Sequence, residues 1–259
     1  MTRLEKLRKR LGQCDEILLD AILMRHHIIK DIMAYKEENG LNILDPEQEE
    51  RQKEWLDGRL EDESNASEVW DIFHAIGKAS KQMQARKLFD YNIVLIGFMG
   101  AGKTTVSHGL RELYGLAEID TDQEIVRQEG RPITEIFATD GEAYFRQLEH
   151  DVVLRFQDVH AAVISCGGGL VMNPENVVNL RKSCVIVFLT ATPETTLLRV
   201  KDSTDRPILN GHMDVAYIRM LQEKRRPAYE AAADICVATD GKDVETICRE
   251  IMQKMKNFS

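Results

Sequence analysis

Four residues have the types and the spacing to grip a phosphate. Gly97, Gly102, Lys103 and Thr104 satisfy G-x-x-x-x-G-K-[ST] within Asn92-Ile-Val-Leu-Ile-Gly97-Phe-Met-Gly100-Ala101-Gly102-Lys103-Thr104-Thr105. The β-branched run before the glycines predicts a strand, and the segment after them favours a helix. In such a strand–loop–helix, backbone N–H groups converge on phosphate oxygens and the helix N-terminus adds positive potential. Lys103 then reaches the β- and γ-phosphates, and Thr104 can hold Mg²⁺. The bland alternative is a glycine-rich turn that matches by chance, and the flanking strand and helix weigh against it.

Other residues downstream could complete a reaction. Asp120-Thr-Asp122 ends a short strand, and two carboxylates beside a phosphate site can divide metal binding from proton acceptance. An N-cap explains one of these acids but not both. Arg146 and Glu149 are i,i+3 neighbours that could be only a surface ion pair. Gly167-Gly168-Gly169 follows a strand and permits close backbone approach to a ligand, or is simply a flexible turn. Lys201 to Gly211, with Arg206-Pro207 inside it, reads as a cation-bearing lid or an ordinary surface loop. Upstream, the long first helix has a heptad seam of Leu4, Leu7, Leu11, Cys14, Leu18, Ala21, Arg25, Ile28, Ile32 and Tyr35. Arg25 stands in it where leucine is expected, and Lys36 lies three turns on. Two cations facing a helical interior ask for an anion. Ser80 and Gln84 continue the apolar stripe of a later helix, unless they mark a solvated helix end.

Two kinds of element must position these groups. Up to about Lys87 the chain has few strand signals and a single proline, Pro46. The expected helices run from Thr2 to Glu38, from Pro46 (capped by Asp45, with Gln48 completing a capping box) to Leu60, and from near Ser67 onward. The first would be ~55 Å long at ~1.5 Å per residue, too long for one small domain, so it must pack against another chain or a long partner. After Tyr91, five β-branched runs alternate with helices, which predicts an α/β parallel sheet. The expected domains are 1–90, all-α, and 91–259, α/β. The 259 residues carry a net charge of −9, which argues against nucleic-acid or anionic-membrane partners but not against small anionic substrates. The five cysteines form no C-x-x-C pair, and no stretch approaches the ~20 apolar residues of a membrane span. A charged N-terminus without an apolar segment behind it completes a cytoplasmic reading.

Residues 1–88 resemble the all-helical class of chorismate mutase, a three-helix chain that forms an intertwined homodimer. Leu7-Arg8, Asp15, Arg25, Lys36, Asp45, Glu49, Ser80 and Gln84 fall in that family's order. The resemblance implies that Arg8, from the other subunit, and Arg25 bind the carboxylates of chorismate. Lys36 and Gln84 would donate to the ether oxygen, and Asp45 and Glu49 would meet the ring hydroxyl, with Ser80 nearby. Gln48 departs from the family, many members of which carry arginine there. Residues 92–257 resemble shikimate kinase through the phosphate loop, Asp120-Thr-Asp122, Phe145-Arg146, Gly167-Gly168-Gly169, Arg206-Pro207 and Arg225…Tyr229. The resemblance assigns ATP to Gly97, Gly100, Ala101, Gly102, Lys103, Thr104, Thr105, Arg199 and Arg206, with Arg199 against adenine. It assigns Mg²⁺ to Thr104 and Asp120. Shikimate would meet Asp122, Arg146, Gly167, Gly168, Gly169 and Arg225, with Asp122 activating the hydroxyl and Lys103 and Arg206 stabilising the transferring phosphoryl group.

The expectation is therefore a bifunctional enzyme: chorismate to prephenate in the first half, ATP-dependent phosphorylation of shikimate in the second. The rivals are another small-molecule kinase of the same fold, a non-catalytic nucleotide switch, and a first half that only dimerises or senses a ligand.

Overall fold

The computed structural model describes residues 1–41, 44–61, 63–201 and 214–255. The expected lid, including Arg206 and Pro207, lies outside the described residues. The chain forms two compact units, 1–88 and 89–259.

The first unit is helical. α1 spans Arg3–Glu38, α2 Pro46–Leu60 and α3 Ala66–Leu88. Thr2 caps α1 with a full capping box to Glu5. Asp45 caps α2 by accepting from the Gln48 backbone, with Pro46 in the first turn. Among the described residues the Gln48 side chain makes no return bond to the cap, so the box is half-formed; its Oε1 instead accepts from Arg51 at 3.2 Å. Met33, Leu56 and Ala85 are the buried centre of this unit. The α1 seam stays open: Leu7 is 49 % exposed, Leu11 62 % and Leu18 55 %.

The second unit is a five-stranded parallel sheet. Its strands are β1 (Asn92–Ile96), β2 (Ala117–Asp120), β3 (Ala162–Ser165), β4 (Cys184–Thr190) and β5 (Ile235–Ala238). They lie in the order β2-β3-β1-β4-β5, with Val94 opposite Ile164 on one side and Ile186 on the other. β1, β3 and β4 are buried on both faces, as their continuous apolar runs require. Val94, Ile96, Ile164, Ile186 and Phe188 face one core with Phe145, Leu148, Val152 and Tyr229.

Eight helices are described around the sheet: α4 (Lys103–Tyr114), α5 (Thr121–Glu129), α6 (Ile133–Thr139), α7 (Gly141–Arg155), α8 (Pro174–Leu180), α9 (Pro193–Val200), α10 (Val215–Ala232) and α11 (Val244–Met255). Pro227 sits inside α10 without dividing it. The chain leaves β1 for one side of the sheet and later returns to its other side. The carboxyl end of β1 is thus a switch point, where open α/β sheets bind ligands.

Candidate active sites

In the second unit, the phosphate loop joins β1 to α4. Gly97 has φ +144, and a β-carbon there would lie 2.4 Å from the Leu189 carbonyl oxygen, so only glycine fits. Gly102 is left-handed and opens α4 without a side-chain cap, leaving the first N–H groups of the helix unclaimed by a cap. Lys103 Nζ donates to the Gly97 and Phe98 carbonyls at 2.9 and 3.2 Å. Thr104 and Thr105 follow, both exposed. A cleft of about 440 Å³ is lined by Gly100, Ala101, Gly102, Lys103, Thr104 and Thr105, with Arg199 facing them. Arg199 donates to Gly100 O at 3.0 Å, Thr239 Oγ1 at 2.9 Å and Thr239 O at 3.0 Å. It ties α9 and the loop after β5 to the phosphate loop.

The two carboxylates of β2–α5 have different jobs locally. Asp120 is the N-cap, its Oδ1 accepting from Asp122 N and Gln123 N. Asp122 points toward the triple glycine: a β-carbon on Gly167 would lie 2.7 Å from its Oδ1. Gly167 N donates to the buried Thr121 hydroxyl at 2.9 Å, fastening the two segments together. Gly168 lies beside Arg225 and Tyr229, each 3.5 Å from where a β-carbon would be, and Gly169 beside Arg146, at 2.5 Å. The glycines thus make room for polar side chains, and two guanidinium groups and a carboxylate meet over a bare stretch of backbone.

Both arginines are held from behind. Arg146 Nη1 donates to Glu149 at 2.7 Å and Nη2 to Glu142 at 2.8 Å. Burial works against its charge, but these bonds prevail and hold its pKa above the ordinary value. Glu149 is 1 % exposed. Burial pushes its carboxyl up, Arg146 pulls it back in part, and Asp122 adds to the rise. Arg225 lies over the Phe98 ring at 5.8 Å, and Tyr229 donates to Gly168 O at 2.7 Å. Cys166, just before the glycines, is fully buried. Burial drives its thiol well above the usual range, so it stays protonated and is no nucleophile.

The helical unit gathers the other predicted residues from all three helices. Arg25 donates to the Ser80 hydroxyl, which in turn donates to Ile76 O at 2.9 Å. Ser80 and Gln84 are 3 % and 7 % exposed, so they do not mark a solvated helix end. Gln84 Nε2 donates weakly to Ser80 O at 3.4 Å, and its buried Oε1 has no hydrogen-bond partner among the described residues. Burial lowers the pKa of Arg25, and no carboxylate among the described residues lies within ion-pair distance of it. Burial also lowers that of Lys36, while Asp45 and Glu49 pull it up, which places those three charges near one another. Glu49 bonds Lys81 at 2.8 Å. Arg8 is exposed and stands apart, 17 residues and so ~25 Å along the helix from Arg25.

Comparison with known sequences decides the family. The shikimate kinase profile matches residues 99–256. The chain belongs to the shikimate kinase family. The chorismate mutase type II profile matches residues 7–85, so a chorismate mutase domain precedes the shikimate kinase domain. The chain is 42 % identical over 165 residues to the shikimate kinase of Moorella thermoacetica, covering 64 % of this chain and 94 % of that one. It is 40 % identical over 167 residues to that of Dehalococcoides mccartyi, covering 64 % and 94 %. Among solved structures, the shikimate kinase from Acinetobacter baumannii in complex with shikimate superposes with a TM-score of 0.63 at 31 % identity, covering 69 % of this chain and 98 % of that one. The Aquifex aeolicus shikimate kinase gives 0.56 at 37 % identity, covering 64 % and 96 %.

Two features of the shikimate kinase domain escape a motif reading. Glu149 is buried rather than a surface partner. Its position was legible: Phe145, Leu148, Glu149, Val152 and Val153 follow the i, i+3, i+4, i+7, i+8 pattern of a buried helical stripe. Thr239 and Lys242, which line the cleft at the phosphate loop, sit just past the carboxyl end of β5, where ligands of such sheets bind.

Proposed function

We propose that the shikimate kinase domain transfers the γ-phosphoryl group of ATP to the 3-hydroxyl of shikimate, and that the helical domain rearranges chorismate to prephenate. The first half rests on one observation: Gly167, Gly168 and Gly169 abut Asp122, Arg225 and Arg146 in turn, next to the phosphate loop. A small ring carrying a carboxylate and hydroxyl groups fits that arrangement. The two guanidinium groups bind the carboxylate, bare backbone accepts the ring, and Asp122 meets the hydroxyl that attacks phosphorus. Lys103 leaves its loop carbonyls for the β- and γ-phosphates as ATP enters, and Arg199 closes the base end of the cleft. Arg206 supplies a further cation in this reading.

The metal donors fit Mg²⁺. Among the described residues no three His, Cys, Asp or Glu side chains cluster to hold a metal by themselves. Thr104 lies in the first turn of α4, and the Asp120 cap uses Oδ1 and leaves Oδ2. Mg²⁺ keeps several waters and takes phosphate oxygens as ligands, so it needs no more from the protein. Bound there with ATP, it would neutralise charge developing on the phosphate oxygens.

In the helical domain no nucleophile or general base is needed. The rearrangement occurs within one molecule, so catalysis consists of holding a reactive conformer and stabilising developing charge. Among the described residues Arg25 has a hydroxyl partner but no carboxylate, which leaves its charge for the substrate's. Lys36 and Gln84, which has a second amide hydrogen to give, donate to the ether oxygen. Asp45 and Glu49 take the ring hydroxyl. Arg8 reaches such a site only from a second chain, and the exposed α1 seam supplies the surface for one, so the working form is a homodimer. An ATP-dependent enzyme with five free cysteines suits the cytoplasm.

Two crossed variants test the division. Arg25→Ala lowers chorismate turnover by orders of magnitude and spares shikimate phosphorylation, whereas Asp122→Asn does the reverse. A mutase that survives Arg25→Ala, or a kinase that survives Asp122→Asn, refutes the corresponding half.

A further inference from the structure

Glu118 does not belong to the phosphate loop or to the substrate cradle, yet it joins the elements that carry them. It lies on β2, two residues before Asp120. Its carboxylate faces α4, where Ser107 Oγ lies 2.6 Å from Oε1 and Arg111 Nη1 lies 2.7 Å from Oε2. His108 Nδ1 stands 3.7 Å away. Ser107 is one turn beyond Lys103, and Arg111 one turn beyond that. A single carboxylate therefore engages consecutive turns of the helix that opens with Lys103 and Thr104. Ser107 is 1 % exposed, so this charge-assisted bond is shielded from water and strong for its kind.

The strand needs such a tether. β2 is four residues long and sits at the edge of the sheet, and among the described residues it pairs with β3 alone. Its residues are exposed or half-buried, unlike the fully buried β1 and β3. Burial alone holds it less firmly than its neighbours. Asp120 and Asp122 ride on its end, and their distance from Thr104 and Lys103 depends on how β2 lies against α4.

We infer that Glu118 and Ser107 are positioning residues for phosphoryl transfer, locking the phosphate-loop helix to the strand that carries Asp120 and Asp122. The inference rests on the kinase reading of that site. Each half of the site is built without the clamp. The loop binds phosphate through its own backbone, and the triple glycine with Arg146 and Arg225 binds the acid. The clamp sets the register between the halves, which matters at the moment of transfer, when a displacement of about 1 Å can cost on the order of 100-fold in rate. Breaking it leaves no buried donor stranded. Ser107 still reaches Thr104 O at 3.0 Å, and Arg111 still holds Glu112 at 2.8 Å.

The test compares the full-length wild type with Glu118→Ala, Ser107→Ala and Glu118→Gln. Binding of a fluorescent ATP analogue, calorimetric binding of shikimate, kcat for phosphorylation and chorismate turnover are measured on each. In Glu118→Ala both dissociation constants stay within about twofold, kcat falls at least tenfold, and chorismate turnover is unchanged. Ser107→Ala shows the same pattern more weakly. Glu118→Gln, which keeps an acceptor for Ser107, recovers part of the rate. An unchanged kcat in Glu118→Ala overturns the inference, as does a fall in kcat matched by equal losses of both affinities. If Glu118→Ala does not fold, Ser107→Ala decides by the same criteria. A wild type that binds ATP but does not phosphorylate shikimate refutes the kinase reading itself, and the inference with it.

Discussion

Gly169→Ala tests the grip proposed for Arg146 on the substrate carboxylate. The backbone of Gly169, at φ −103 and ψ −13, lies on the negative-φ side next to the right-handed helical region, which is open to alanine as well as glycine. The three atoms nearest the new methyl group all belong to the tip of one side chain, at 2.5 Å for Arg146 Nη1 and 3.0 Å for Cζ and Nη2. An ordinary contact begins near 3.4 Å, so the guanidinium must retreat by about 3.4 − 2.5 = 0.9 Å. Glu149 and Glu142 then hold it in the displaced position or release it. Either way its bond to the substrate is lost or bent. A hydrogen bond to a charged group is worth about 1.5–3 kcal/mol, and ~1.4 kcal/mol is a factor of ten. KM for shikimate should rise roughly 10- to 150-fold, with KM for ATP and the melting temperature nearly unchanged. Steady-state kinetics with each substrate varied in turn reads both constants. A KM for shikimate within twofold of wild type would show that Arg146 does not bind the acid, and the cradle would lose its meaning.

Gly97→Ala should fail for a different reason. Its φ of +144 is strained for alanine, at about 1–3 kcal/mol, and its methyl meets backbone, 2.4 Å from Leu189 O, which cannot step aside. Thermal unfolding should fall by roughly 5 °C or more for a domain of this size; an unaltered transition contradicts the strain argument. Glu149 makes stability depend on pH. Its folded-state pKa is raised by burial above the unfolded value of 4.5. Its contribution is therefore fully present below about pH 4.5 and is lost as pH rises through the folded value. The melting temperature of Glu149→Gln should gain on wild type as pH goes from about 4 to 7, and a flat or falling difference would overturn the assignment of burial as the cause.

Much of this architecture was legible because its signals are local. The course of α1 follows from its heptad seam, and the start of α2 from Asp45 as a cap and Pro46 in the first turn. The five strands follow from short β-branched runs, and Gly97 and Gly102 announce a loop that only positive φ can close. What was not legible is the pairing of elements distant in sequence. Strand order depends on which faces the helices cover, so the insertion of β3 between β1 and β2 carries no mark of its own. Glu149 looked like half of a surface pair because charge dominates the eye, although its helical phase placed it in the core. Residue type alone did not separate Asp120 from Asp122; the family resemblance divided their roles, and the cap bonds show which of them closes the helix N-terminus. The tether from Glu118 to Ser107 joins two residues with no motif between them, and only the packing of α4 on an edge strand gives it a role.

The central claim is that two independent active sites share this chain. The direct measurement assays one purified preparation twice, against chorismate alone and against shikimate with Mg²⁺ and ATP. Prephenate should form in the first without nucleotide, and ADP with shikimate 3-phosphate in the second. Activity in only one of the two assays would contradict the account and show which domain had been misread.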